Sequence, residues 1–301
     1  MKQSSSKVLM IRPVKFGYNE QTAASNSFQK LEIGIDQKKI QLNALSEFDT
    51  FLEILRLHQI DVVVFDDTLF PATPDSIFPN NWISFHKEKF IVIYPMLAEN
   101  RRPERRSEII DHFKKENKKV IDISHFEKEG IFLEGTGSIV FDYENKIAYA
   151  NISARTNKRL LEDLCKQLNY SSLNFRANDS NGNDIYHTNV LMCIGDHFAV
   201  LCEECIPDLI DRKKIVESLK KNGREIIFIS IEQMNSFAGN MYQLFNKNQE
   251  SLIVMSEQAF RSLKKGQIIQ LEKYGKLLYP ALYTIEKYGG GSARCMIAEI
   301  K

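Results

Sequence analysis

Residues 190–202, V-L-M-C-I-G-D-H-F-A-V-L-C, contain the pattern from which the fold is predicted. Two short apolar runs flank Gly195-Asp196, and a turn pair of this kind predicts a β-hairpin. A helical pattern begins at Asp208, and an apolar run at 225–229 predicts another strand. The stretch therefore predicts a unit made of a hairpin, a helix and a strand.

The same order of elements recurs along the chain, with a period of about fifty residues. Hairpins are predicted at 82–94, 138–150 and 241–255, each followed by a helix and a strand, and the first of these helices is expected to open near Pro103. The chain begins with a strand at 8–11, a helix through 42–55 and a buried strand at 61–65, and it ends with a strand after Cys295. One unit cannot bury its own sheet face. Several units around an axis, closed by the terminal strands, therefore predict a single-domain α/β propeller over residues 1–301.

The amino-acid composition excludes some classes of function for this protein. The 40 Lys and Arg residues nearly balance the 39 Asp and Glu residues, so a nucleic acid is not expected as a partner. The polar N-terminal residues do not resemble a signal peptide, and no apolar run is long enough to predict a membrane span. Five cysteines fit a reducing compartment better than a disulfide framework. These features predict a cytoplasmic protein and leave homo-oligomerisation open.

One polar residue lies at or shortly before the start of each hairpin or of the last strand, at nearly constant spacing. These residues are Asn81, Glu134, His187, Asn240 and Cys295, at intervals of 53, 53, 53 and 55 residues. Units related by rotation bring equivalent positions to the axis. The spacing therefore predicts that a thiol, an imidazole, a carboxylate and two amides meet in one place.

This combination indicates nucleophilic catalysis. Cys295 follows a loop with three glycines, and an imidazole next to a thiol can activate it. Glu134 can orient a planar nitrogenous group for attack. Taken singly, Cys295, His187 and Glu134 could each be a structural residue, and only their joint spacing favours catalysis.

Cys202 and Cys205 have the C-x-x-C spacing of a zinc-binding pair, with His197 nearby. A structural site needs a second pair of ligands at comparable spacing, and Cys165 and Cys193 do not supply it. We therefore expect no metal and no cofactor, and we interpret these thiols as buried side chains.

Two arginines lie at matched positions of successive units. Arg101 belongs to a basic segment predicted to open a helix, and Arg155 precedes the next helix. Cations are unfavourable at a helix N-terminus unless an anion faces them. The two arginines could therefore clamp one carboxylate.

The order of these motifs, from about Arg12 to the C-terminus, resembles the guanidino-group-modifying enzymes: arginine deiminases, dimethylarginine dimethylaminohydrolases and amidinotransferases. The motifs are Pro74-Asp75-Ser76, the arginine pair, Leu133-Glu134-Gly135, the segment 153–157, Tyr186-His187, the segment 237–240, and the glycine loop before Cys295.

This resemblance implies a five-bladed α/β propeller with one active site on its axis. It implies that Cys295 is the nucleophile, His187 the acid and base, and Glu134 the orienting carboxylate. It further implies that Arg101 and Arg155 bind the substrate's α-carboxylate and that Asp75 contacts the substrate. Asn240 is also expected to contact the substrate.

Two positions depart from the resemblance. Asn81 and Asn189 stand where deiminases have aspartates, and an amide can donate a hydrogen bond to a neutral carbonyl oxygen. We therefore expect a ureido substrate, with L-citrulline hydrolysed to ornithine, carbon dioxide and ammonia through a covalent cysteine intermediate. The alternatives are an arginine or methylarginine hydrolase and a non-catalytic binding protein on the same propeller.

Overall fold

The strands form five similar sheets. The computed structural model of the protein describes residues 3–32, 34, 36–87, 90–115 and 119–301. Within these residues there are five sheets of three strands, and in each sheet the middle strand pairs antiparallel with the first strand and parallel with the third. The sheets are β3–β4–β5 (Ile83–His86, Phe90–Ile93, Lys119–Asp122), β6–β7–β8 (Val140–Asp142, Ile147–Asn151, Ser171–Phe175), β9–β10–β11 (Met192–Ile194, Phe198–Leu201, Glu225–Phe228), β12–β13–β14 (Tyr242–Phe245, Ser251–Val254, Lys276–Leu278) and β15–β1–β2 (Ala298–Ile300, Lys7–Arg12, Asp61–Asp66).

The fifth sheet joins the two ends of the chain. Its first strand, β15, pairs with β1, so it takes the place that the first strand of a hairpin has in the other sheets. The first strands of neighbouring sheets also lie against one another, as β15 does on β3 and β9 does on β6 and β12. The five-bladed α/β propeller closed by the terminal strands is thereby confirmed. A single domain over residues 1–301 stays a prediction.

Helices connect the middle and third strands within each sheet, and other helices lead from one sheet to the next. They are α1 (Glu20–Ala23), α2 (Gln37–Leu57), α3 (Ser107–Lys114), α4 (Gly135–Ser138), α5 (Lys158–Leu168), α6 (Thr188–Leu191), α7 (Leu209–Lys221), α8 (Ile231–Asn235), α9 (Glu257–Ser262), α10 (Lys265–Glu272) and α11 (Tyr283–Gly289). Short 3₁₀ helices occupy Pro79–Asn81, Glu99–Glu104, Ser124–Glu129 and Glu203–Cys205. None of the described helices combines the length and apolar character needed to cross a bilayer.

Helix α5 shows how the sequence sets these elements. The side chain of Asn157 accepts a hydrogen bond from the N–H of Leu160 and caps the N-terminus. Asn169 ends the helix in the left-handed conformation. The leucines between the caps pack into the core against the second sheet.

Some predicted boundaries were wrong. No α-helix opens near Pro103, because this residue lies in a 3₁₀ helix and α3 begins only at Ser107. Arg105 and Arg106 leave the helical conformation, with ψ angles of 65° and 134°, and thereby separate the 3₁₀ helix from α3. Ser138 and Val190 were assigned to strands but belong to α4 and α6, and Leu42 is 64% exposed on α2 although its spacing predicted a buried face.

The short helices α4 and α6 place polar residues at equivalent points of their sheets. Glu134 and His187 are the residues immediately before α4 and α6, and Asn81 ends the 3₁₀ helix before β3. Because the sheets are arranged around one axis, these ends converge on the same region.

Candidate active site

A carboxylate and an imidazole form the charged side of the site. One oxygen of Glu134, Oε2, lies 2.9 Å from His187 Nε2 and 3.3 Å from Arg155 Nη1. The other oxygen accepts the backbone N–H of Leu97 at 3.0 Å. An ionised carboxylate only accepts hydrogen bonds, so we assign the proton of His187 to Nε2. Nitrogen Nδ1 is then the atom of the ring that can act as a base.

The surroundings shift both pKa values. Burial alone would raise the pKa of Glu134, but Arg155 and then His187 outweigh it and hold that pKa well below its usual range. Burial lowers the pKa of His187 to about 4, an effect that Glu134 offsets only in part. Near neutral pH, Glu134 is therefore ionised and His187 is neutral.

The thiol lies on the opposite, neutral side of the site. Cys295 is 4% exposed, and its sulfur lies 3.4 Å from Asn189 Nδ2 and 3.3 Å from Asn240 Nδ2. The amide oxygen of Asn240 accepts the backbone N–H of Arg294, which fixes that amide. The carbonyl of Ser292 accepts the N–H of Cys295 and holds the turn that presents the sulfur. Two amide N–H groups therefore face the predicted nucleophile.

A glycine leaves room for the imidazole of His187 and the amide of Asn81. A Cβ atom on Gly137 would lie 2.5 Å from Asn81 Nδ2 and 2.7 Å from His187 Nδ1. Real Cβ atoms do not come so close to other atoms, so a side chain here would displace the imidazole or the amide. Sequence reasoning gave this glycine no role.

Arg101 is held by protein groups on most of its donors. Its Nε and Nη2 atoms donate to the two carboxylate oxygens of Glu104 at 2.8 and 2.9 Å, and its Nη1 donates to Asn81 Oδ1 at 2.8 Å. Its Nη2 also donates to the backbone carbonyls of Asp75 and Phe78. The structure therefore places Arg101 beside the site but pairs it with Glu104. The spacing of Glu104, three residues after Arg101, was a signal in the sequence that could have predicted this pair.

Arg155 contacts a segment that sequence analysis left without a role. Its guanidinium donates to the hydroxyl of Ser25 and the carbonyl of Thr22, and it lies 4.8 Å from the centre of the Tyr186 ring. Asp75 is held by the same segment, because its Oδ2 accepts from the side chains of Asn19 and Thr22. Its Oδ1 has no hydrogen-bond partner among the described residues.

Residues 19–29 therefore cover the site. The side chains of Asn26 and Gln29 donate to carbonyls of the glycine loop, at Gly290 and Gly289 respectively. The cavity beneath, lined by Asp75, Arg155, His187 and Cys295 among others, has a volume of about 10 Å³, enough for one water molecule. An amino acid can enter only if this cover moves. The segment is polar and lacks a helical period, so its sequence gave no sign of this position.

The structure thus brings together every residue that the sequence placed at the site. Asn81, Glu134, His187, Asn189, Asn240 and Cys295 surround one point, and Asp75, Arg101 and Arg155 lie at the adjoining end of the cavity. In the described part of the chain, no three His, Cys, Asp or Glu side chains are grouped so that they could hold a metal ion.

The comparisons with known proteins identify the family. Residues 12–301 match the family model described as N,N dimethylarginine dimethylhydrolase, eukaryotic. The chain belongs to this family. The predicted superfamily of guanidino-modifying enzymes is thereby confirmed, whereas its citrulline-hydrolysing branch is not. A search of the curated proteins found no match.

Solved structures of other proteins have a similar fold. ArgZ, an arginine dihydrolase from the ornithine–ammonia cycle in cyanobacteria, superposes with a TM-score of 0.76 at 17% identity over 97% of this chain. The chain spans 40% of that ArgZ chain, and it spans 97% of the ArgZ N-terminal domain that was solved covalently bound to a reaction intermediate. A dimethylarginine dimethylaminohydrolase adduct with S-methyl-L-thiocitrulline has a TM-score of 0.67 at 17% identity, and 99% of each chain is covered.

Family membership fixes the general chemistry. The chain is a cysteine-dependent hydrolase of carbon–nitrogen bonds, as the sequence predicted. For the substrate, the family supports arginine or methylarginine, the alternative stated above, better than citrulline. The roles of the individual site residues stay predictions.

Proposed function

We propose that this protein hydrolyses the guanidino group of L-arginine or of an Nω-methylated arginine through a covalent intermediate on Cys295. The observation that carries the proposal is the Glu134–His187 pair, at 2.9 Å, in the same cavity as the Cys295 sulfur. A thiol and a neutral imidazole held by a carboxylate form an activated nucleophile with its base. The membership of the chain in the dimethylarginine hydrolase family supports the guanidino substrate.

In the proposed first half of the reaction, His187 takes the thiol proton and the Cys295 sulfur attacks the central carbon of the guanidinium. The carbon–nitrogen bond to the terminal nitrogen then breaks, and His187 returns the proton to the departing ammonia or methylamine. In the second half, His187 takes a proton from water, which attacks the same carbon. The carbon–sulfur bond breaks, and citrulline and the free thiol result.

The other end of the substrate meets charged groups of both signs. The free oxygen of Asp75 is a buried acceptor, and we assign it to the α-ammonium group. Arg155 is assigned to the α-carboxylate, because its guanidinium now bonds only neutral oxygens of the cover besides Glu134. Displacement of residues 19–29 would free these donors for the substrate.

Citrulline itself is a second candidate substrate. Asn189 directs its amide nitrogen toward the Cys295 sulfur, and Asn81 lies across Gly137 from the imidazole. An amide N–H in this position can donate to a ureido oxygen, which a carboxylate cannot do. An enzyme with both activities would release ornithine from arginine.

One assay separates these possibilities. The enzyme is incubated with arginine, monomethylarginine, dimethylarginine and citrulline, and citrulline, ornithine, ammonia and methylamines are measured. Accumulation of citrulline from a guanidino substrate supports the first proposal, and ornithine from citrulline supports the second. Absence of turnover of all four compounds would overturn both.

Replacement of the nucleophile tests the covalent step. We expect Cys295→Ala to lose activity by about 10⁵-fold while it keeps the thermal transition of the parent. His187→Gly should slow breakdown of the adduct enough for the intact mass to show it. A Cys295→Ala variant with near-normal turnover would show that the sulfur is not the nucleophile.

A further inference from the structure

Two cysteines outside the active site are stacked on one face of a turn. Cys202 follows strand β10, and Cys205 ends the 3₁₀ helix Glu203–Cys205. A 3₁₀ helix has three residues per turn, so side chains three residues apart lie one above the other. Its rise of about 6 Å per turn matches the usual Cα separation across a disulfide. The local backbone therefore presents the two sulfurs to one another.

The sulfurs are in direct contact in a buried apolar setting. Their Sγ atoms lie 2.8 Å apart, and Cys205 Sγ lies 3.3 Å from the sulfur of Met234. Both thiols are free and buried. The hydrogen bond with Cys202 and then burial raise the pKa of Cys205 far above its usual range, so Cys205 keeps its proton, which it can donate to the sulfur of Met234. Cys202 is then the sulfur that can act as a nucleophile.

Two backbone hydrogen bonds hold the turn in place. The N–H of Cys202 donates to the carbonyl of Leu191, the last residue of α6, at 2.9 Å. The carbonyl of Cys205 accepts the N–H of Asn178 at 2.8 Å. Neither bond uses a sulfur atom, so both can persist when the thiols lose their protons. Glu204, between the two cysteines, is exposed, so the turn lies at the protein surface.

We propose that Cys202 and Cys205 form a site of reversible oxidation, at which a peroxide converts the dithiol to an intrachain disulfide. The Cys202 sulfur attacks one oxygen of hydrogen peroxide, the O–O bond breaks, and a sulfenic acid and water form. The Cys205 thiol then attacks the Cys202 sulfur, and the hydroxyl group leaves with the thiol proton as a second water. The pair loses two electrons and two protons, and the peroxide gains them. The inference is independent of the proposed function.

Peptide mapping after peroxide treatment tests the proposal. The whole protein is exposed to dilute hydrogen peroxide, alkylated, digested and analysed by mass spectrometry. The peptide that contains both cysteines should lose about two mass units, should resist alkylation, and should recover both thiols after dithiothreitol. We expect this conversion to be at least about tenfold faster than oxidation of the buried thiol of Cys165.

Four variants test the assignment. Cys202→Ser and Cys205→Ser should abolish the mass loss, whereas the matched control Cys165→Ser should keep it. Cys295→Ala should also keep it, which excludes a disulfide with the active-site thiol. Persistence of two alkylatable thiols in the parent at a peroxide dose that oxidises Cys165, or disappearance of the mass loss in Cys295→Ala, would overturn the proposal.

Discussion

Glu134 and Glu286 are both buried carboxylates, and each is bonded to a part of the chain that positions a predicted catalytic residue. Glu134 contacts His187 directly. Glu286 accepts the hydroxyl of Ser292 at 2.6 Å, and the carbonyl of Ser292 begins the turn that carries Cys295. Glu134 has an arginine and an imidazole N–H as partners, whereas no salt bridge to Glu286 occurs among the described residues.

The partners decide the charge of each group. Arg155 and His187 overcome burial and keep Glu134 ionised. Burial raises the pKa of Glu286 to about 7, because the hydroxyls of Ser256 and Ser292 offset only part of the cost of a buried charge. Burial alone therefore does not make a carboxylate catalytic. The carboxylate that Arg155 keeps ionised can stabilise the imidazolium that would form in the proposed deprotonation of the thiol.

The largest loss of activity is expected when the charge of Glu134 is removed. Glu134→Gln keeps the size of the side chain but removes the charge that faces His187. We expect kcat to fall by about 10³-fold or more, by analogy with the carboxylate of serine-protease triads. The matched control, Glu286→Gln, should change kcat by less than about threefold. Equal losses in the two variants, measured as steady-state rates on the best substrate, would erase the distinction between the two carboxylates.

Removal of the cation next to Glu134 should have the next largest effect. Arg155→Met keeps most of the apolar stem and removes the guanidinium. The pKa of Glu134 should then rise, because its main source of stabilisation is lost, and the acid limb of the kcat/KM profile should move to higher pH.

The same change in Arg155 should also weaken substrate binding. We expect a loss of about 100-fold in kcat/KM, carried mainly by KM, because the partner of the α-carboxylate is removed. Arg101→Met is the comparison variant, and it should lower thermal stability more than Arg155→Met because it leaves buried Glu104 unpaired. A KM unchanged by Arg155→Met would rule out its assignment to the α-carboxylate.

The sequence could predict which residues meet but not how they pair. The spacing of Glu134, His187 and Cys295 is visible because equivalent points of repeated units must converge on an axis. That Glu134 contacts the imidazole of His187 depends on backbone directions at α4 and α6, which no periodic pattern specifies. Glu286 looks like an ordinary residue of a surface helix, and only the packing of α11 beneath the glycine loop buries it.

A smaller effect is expected when a new carboxylate is added to the site. In Asn81→Asp the new group would meet the guanidinium of Arg101 and stay ionised, as Glu134 does. In Asn189→Asp the new carboxyl group would face Cys295. No cation is among the present hydrogen-bond partners of Asn189, so this group would resemble Glu286 in having no ion pair. We expect Asn81→Asp to raise the ratio of kcat/KM for arginine over citrulline by about tenfold, because an ionised carboxylate favours the cationic substrate.

The Asn189 variant is the matched comparison. Its carboxyl group should be largely protonated at neutral pH, so the ratio should move less than in Asn81→Asp and should increase as the pH is raised. A ratio that neither substitution moves would show that these amides do not set the preference between guanidino and ureido groups.

The smallest effect concerns stability and not activity. The pKa of Glu286 is about 7 in the folded protein and 4.5 in an exposed glutamate. Between these two pH values the folded chain binds more protons at this site than the unfolded chain, so its contribution is complete below pH 4.5 and is lost as the pH rises through 7. The shift corresponds to roughly 3 kcal/mol, or several degrees in Tm, across this window.

The contribution of His187 to stability changes with pH in the opposite direction, because its lowered pKa costs stability as the pH falls below 6.5. The parent alone therefore cannot isolate Glu286, and the measurement is the difference between two curves of Tm against pH. Glu286→Gln cannot ionise but still accepts the hydroxyl of Ser292, so its Tm should fall less than that of the parent from pH 5 to pH 8. Parallel curves would mean that Glu286 is ionised throughout, and the two buried carboxylates would then differ in position but not in charge.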